Sequence, residues 1–140
     1  MSSTTLKKLL PGEKLIPYGC TPGWVSLSRT EHGVYILRMK AEANPENRWI
    51  PAFNAAMMKA FDGVEKHLEE EAGDTPAALL SISESEKFFS NGIDPTGAYS
   101  KKLTLPRMSK VEMAEQAGLG MPAFARPLQL PIPTVAAING

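Results

Sequence analysis

Apolar and small polar residues alternate through Trp24-Val25-Ser26-Leu27-Ser28, and a second apolar run, Val34-Tyr35-Ile36-Leu37-Arg38-Met39, follows the polar turn Glu31-His32-Gly33. Period-two alternation on either side of a short turn predicts a β-hairpin. Lys40 to Asn47 is polar, with Asn44-Pro45 at its centre. Proline disfavours helix in the residue before it, so this stretch predicts a loop. Between Pro51 and Ala72 the period changes. Phe53, Met57, Phe61, Val64 and Leu68 recur at steps of three or four, which places them on one face of an α-helix, while Lys59, Glu65, Lys66, Glu69 and Glu70 fall largely elsewhere. Pro51 suits the first turn, where its missing N–H costs little, and Gly73 suits the C-terminal stop.

Beyond Thr75-Pro76, the run Ala77-Ala78-Leu79-Leu80-Ser81-Ile82 is short and nearly continuously apolar, the pattern of a strand buried on both faces. Strand, helix, strand in that order predicts a right-handed crossover with parallel pairing. Residues 84–97 are polar and contain glycine, residues 98–126 carry weak helical patterning centred on 108–118, and Thr134-Val135-Ala136-Ala137-Ile138 predicts a further buried strand. Residues 1–23, interrupted by Pro11-Gly12, read as a flexible lead-in, leaving one domain over 24–140 with no repeat or linker. The fold class is α/β.

Composition narrows the function classes. The 140 residues are 43% hydrophobic, enough for a core, and 15 basic residues balance 15 acidic ones. That balance lacks the basic footprint of a nucleic-acid binder. No stretch reaches the roughly 18–20 apolar residues of a membrane span, so a soluble protein is expected. Cys20 is the only cysteine, which excludes a disulfide framework and a thiolate metal cluster. His32 and His67 have no ligand spacing around them, and no metal is expected.

The chemically informative stretch is Glu86-Lys87-Phe88-Phe89-Ser90-Asn91-Gly92-Ile93-Asp94, directly after a buried strand. Glycine here permits positive φ or close approach of backbone to a ligand. Asp94-Pro95 has the order of a helix N-cap followed by proline at the first helical position, so adjacent amides can face developing negative charge. By itself Ser-Asn-Gly-Ile-Asp is also an ordinary turn, because these residues populate turns for backbone reasons.

The order of the flanking elements changes that balance. KFFSNGID resembles the first oxyanion-hole segment of the enoyl-CoA hydratase/isomerase (crotonase) family. The preceding hairpin, loop, amphipathic helix and strand stand in that family's order, and Pro133-Thr134-Val135-Ala136-Ala137-Ile138-Asn139-Gly140 resembles its strand leading to the second oxyanion loop. The Phe-Phe-Ser-Asn-Gly version most resembles the Δ3,Δ2-enoyl-CoA isomerase branch. The resemblance implies an incomplete ββα crotonase spiral acting on acyl-CoA thioesters in fatty-acid β-oxidation, as isomerase or hydratase. Two backbone N–H groups bind the thioester oxygen as it becomes enolate-like, and carboxylates move the proton. The first donor would be the Ile93 N–H, with Ser90, Asn91 and Gly92 shaping the pocket, Ala43, Asn44, Pro45 and Asn47 forming a looser wall, and Asp94 serving as a structural cap. Coenzyme A belongs to the substrate, and no separate cofactor is implied. Relatives form homo-oligomers in the peroxisome or mitochondrion, with cytoplasm also open.

In the family's pattern, the second oxyanion glycine and the catalytic glutamates lie beyond Gly140, so none is assigned here and the chain is expected to be a catalytically incomplete fragment. The alternative is a short, non-catalytic acyl-CoA-binding or protein-interaction module. Blander roles suffice for the other conspicuous residues. Glu84 and Glu86 read as solvated loop charges, Lys101 and Lys102 as a solvated pair, and Trp24, Trp49 and Met57 as packing residues.

Overall fold

A computed structural model describes residues 8–93 and 123–139. The expected helix at 108–118, the Asp94 cap, Lys101, Lys102 and Gly140 lie outside the described residues. The described chain forms a five-stranded sheet in sequential order: β1 Lys14–Leu15, β2 Val25–Arg29, β3 Val34–Met39, β4 Ala78–Ser83 and β5 Thr134–Ala136. The predicted hairpin is β2 antiparallel to β3, with Leu27 opposite Leu37. Its turn requires Gly33. At φ +88° the residue lies in the left-handed region, and a Cβ there would sit 2.2 Å from the Pro76 carbonyl oxygen.

Helix α1, Pro51–His67, connects β3 to β4, which pair in parallel as the strand-helix-strand order predicts. Its last turn widens into a π-helix over Leu68–Ala72 before Gly73 ends it. Phe53, Met57, Phe61 and Val64 are all buried, and they pack with Leu27, Tyr35, Leu37, Met39 and Leu79, side chains two apart on their strands and so on one face of the sheet. Small residues let the turn Pro17–Gly19 lie close on this helix. A Cβ on Gly63 would approach the Gly19 Cα at 2.8 Å.

Two expectations need correction. Residues 1–23 are not a lead-in throughout. From Lys14 the chain pairs with β2, Ile16 is 3% exposed, and the Glu13 carboxylate is buried against the Arg38 guanidinium and the Ser28 hydroxyl. A charge on β3 cannot be buried without a partner, and the N-terminal segment supplies it. The terminal strand is also not buried. β5 is the edge of the described sheet, with Val135 59% and Ile138 77% exposed, because among the described residues no element lies on its outer side.

Candidate functional site

The loop after β4 is held by a mesh of short-range and cross-loop hydrogen bonds. Ser83 Oγ donates to the Phe88 carbonyl at 2.7 Å and accepts from the Ser85 N–H at 3.0 Å, the local side-chain-to-backbone bonding that serine favours in turns. Asn47 adopts φ +46°, which asparagine tolerates better than most residues, and its Nδ2 donates to Ser83 Oγ at 2.8 Å and the Phe89 carbonyl at 3.1 Å. Ser90 Oγ donates to the Asn47 carbonyl at 2.7 Å, and the Asn91 N–H donates to the Glu46 carbonyl at 2.9 Å. Two loops distant in sequence thus form one unit at the C-terminal ends of the parallel strands β3 and β4, the end of such sheets where ligands bind.

Gly92 and Ile93 occupy the outer end of this unit. Gly92 has φ +74° and no heavy atom within 4 Å of a built Cβ, so its glycine serves backbone conformation rather than space. Ile93 pairs in parallel with Trp49, whose N–H donates to the Gly92 carbonyl at 2.9 Å. Successive backbone groups of an extended segment point to opposite sides, so this bond turns the Ile93 N–H away from Trp49. That N–H makes no hydrogen bond among the described residues. Ile93 as a whole is 59% exposed.

Other residues singled out in the sequence are distributed unequally. Ser90 and Asn91 join the mesh, Ala43 is half-buried and Pro45 is exposed. Asn44 and Asn47 are each 1% exposed, so their side chains hold the loop rather than face a ligand. Asn44 accepts from the Arg48 N–H at 3.1 Å and donates to the Arg48 carbonyl at 2.8 Å, closing the turn around Pro45. Asn139 comes alongside. Its carbonyl accepts from the Phe89 N–H at 2.8 Å and its Nδ2 donates to the Ser85 carbonyl at 2.8 Å, which joins the two motif-bearing segments.

The sequence pattern missed Glu46, Trp49 and Ser83. Glu46 accepts from Asn91 Nδ2 at 3.1 Å and Arg48 Nε at 2.6 Å. Only the preference of Asn and Pro for turns hinted at this loop's shape. Glu84 is corrected outright. Instead of a solvated loop charge it is 6% exposed and paired with Lys40 Nζ at 3.0 Å, because alternation along β4 turns it onto the same side as Ile82. Among the described residues, no group of three or more His, Cys, Asp or Glu side chains is arranged to hold a metal ion. No described helix is long and apolar enough to cross a membrane.

No family model and no curated protein matches the sequence. Solved structures do match. DspI from Pseudomonas aeruginosa superposes with a TM-score of 0.63 at 20% identity, over 86% of this chain and 40% of its own. An enoyl-CoA hydratase/carnithine racemase from Magnetospirillum magneticum superposes with a TM-score of 0.62 at 16% identity, over 88% of this chain and 41% of its own. The fold is a partial crotonase-like fold. The chain spans about two fifths of the length of these two structures. Within the crotonase-like frame, β2, β3, α1 and β4 build the scaffold, and the loop at 84–93 is carried on the end of β4.

Proposed function

We propose that this chain binds acyl-CoA thioesters, with the Ile93 N–H donating to the thioester carbonyl oxygen, as part of enoyl-CoA isomerase or hydratase chemistry in fatty-acid β-oxidation. The observation that carries this reading is the Ile93 amide, which makes no hydrogen bond among the described residues and stands at the end of a loop that Ser90 and Asn91 tie to residues 46–47. Donation to the carbonyl oxygen withdraws electron density, acidifies the α-proton and stabilises enolate-like charge in the transition state more than the ground state. Fixed backbone donors achieve this without reorganising as the charge develops. Ser90 and Asn47 act by positioning, because they set the path of the chain into Gly92.

A binding module without turnover is the second reading. It is favoured by the pairing of Glu46 with Arg48 and of Glu84 with Lys40 at this end of the sheet, which leaves neither of these carboxylates poised as a base. Infrared difference spectra of bound hexanoyl-CoA test the donor directly. The thioester carbonyl band is expected to move to lower frequency in the wild type and in Ile93→Ala, which keeps the N–H, but not in Ile93→Pro, which removes it. An unshifted band on wild-type protein that binds the thioester refutes the assignment. Incubation with trans-3-hexenoyl-CoA and trans-2-hexenoyl-CoA then separates the two readings, since the module binds both and converts neither.

A further inference from the structure

Trp49 packs edge-on to Phe53 with ring centroids 5.1 Å apart and tilts against Phe124 at 4.3 Å. Phe53 is fully buried, so one side of the indole belongs to the core, whereas Phe124 remains 41% exposed and Ile93 59% exposed. Paired residues on neighbouring strands project to the same side, so the Trp49–Ile93 pairing puts the Ile93 side chain on the same side as the indole. An aromatic and aliphatic strip therefore runs from the core outward and ends in two large apolar side chains open to water. One of them belongs to the residue whose N–H makes no hydrogen bond among the described residues. A polar donor set at the margin of exposed apolar surface is the composition of a ligand wall, with the donor fixing orientation and the apolar surface supplying affinity.

Resting on the thioester reading above, we infer that Ile93, Trp49 and Phe124 form the wall against which the acyl chain lies, making this site selective for extended aliphatic acyl groups over acetyl. The carbonyl oxygen meets the Ile93 N–H, and the carbons beyond it run over the Ile93 side chain toward the exposed Phe124 ring. Trp49 sets the floor, because its contact with Phe53 prevents it from swinging aside. This assigns a specificity role to Trp49 and Phe124 in addition to their packing.

Calorimetric titration of the full chain with acetyl-, butanoyl-, hexanoyl- and octanoyl-CoA tests the wall. Each methylene that reaches it is expected to tighten binding about fourfold, and Phe124→Ser is expected to flatten the series at the longer chains while leaving acetyl-CoA binding in place. The protein has 2 tryptophans, so Trp24→Phe leaves Trp49 as the sole indole reporter, and its emission is expected to shift with octanoyl-CoA but not with acetyl-CoA. Thioesters that bind with equal affinity at every chain length, with Trp49 emission unmoved, overturn the wall and leave the thioester reading standing. Failure of every thioester to bind overturns both. Should Phe124→Ser unfold, the chain-length and emission series on the folded Trp24→Phe protein decide the matter.

Discussion

Replacing Glu13 with glutamine preserves side-chain shape but removes a carboxylate from a guanidinium that stays buried. Glu13 and Arg38 side chains are 0% and 4% exposed, and the pair is bidentate, with Arg38 Nη2 donating to Glu13 Oε2 at 2.9 Å. The Leu10 N–H donates to the same carboxylate at 2.6 Å. Breaking a buried pair from one side costs about 3–5 kcal/mol, against a total stability of about 5–15 kcal/mol for a domain. With a urea m value of about 2 kcal/mol/M, the unfolding midpoint should fall by about 1.5–2.5 M. Replacing both partners, as Glu13→Leu with Arg38→Met, should recover most of the loss, since well-packed apolar residues match buried ion pairs in stability. Acid supplies an independent readout. Burial works to raise the Glu13 carboxyl, but hydrogen bonds from Arg38, Ser28 and the Leu10 N–H together with the Arg38 charge hold it below its ordinary 4.5. A depressed folded-state value means that the pair's contribution is complete above about pH 4.5 and is lost as pH falls through the folded value. Glu13→Gln should flatten stability over that acid window. A midpoint within about 0.3 M of wild type, or an unchanged acid limb, refutes the idea that this pair anchors the N-terminal segment.

Gly33→Ala should cost more than about 2 kcal/mol by chemical denaturation, since it adds left-handed strain to a Cβ 2.2 Å from the Pro76 carbonyl oxygen. An equal midpoint for the two proteins would count against the described hairpin turn. Asn47→Ala removes the donors to Ser83 Oγ and the Phe89 carbonyl, so a loss of about 1–3 kcal/mol and faster amide exchange at Trp49 and Asn91 are expected. Unchanged exchange there would show that the two loops are not held together by this side chain. Burial lowers the His67 imidazole below its ordinary 6.5, aided by the Arg29 charge and opposed by Glu71, while its Nδ1 bonds to the Tyr35 hydroxyl at 2.8 Å. Folding therefore favours neutral His67, so stability should be full above about pH 6.5 and decline as pH falls below it. Urea midpoints between pH 7.5 and 5 should show this slope in the wild type and less of it in His67→Gln.

The local elements follow from nearest-neighbour physics, and so they were legible in the chain. Period-two alternation around Leu27 and Leu37, the three-to-four spacing from Phe53 to Val64, and the Pro51 start determine hairpin and helix whatever lies around them. The short apolar run at Leu79 and the strand-helix-strand order determine the parallel pairing. The turn formers Ser90, Asn91 and Gly92 marked the site loop, and the resemblance of KFFSNGID placed Ile93 at its end. Long-range partnership was not legible. Nothing around Glu13 reveals that Arg38, 25 residues away, has a buried charge to neutralise, and a polar start punctuated by proline and glycine reads as unstructured. Glu84 looked solvated because sequence shows its charge but not the Lys40 ammonium across the strand. Thr134 to Ile138 looked buried because composition reports preference for burial, while exposure depends on which elements cover a strand. The orientation of the Ile93 amide likewise exists only in the folded chain. It comes from the Trp49 N–H taking the Gly92 carbonyl across two loops 43 residues apart, 49 to 92, and no local pattern specifies a hydrogen bond between segments that only the tertiary fold brings together.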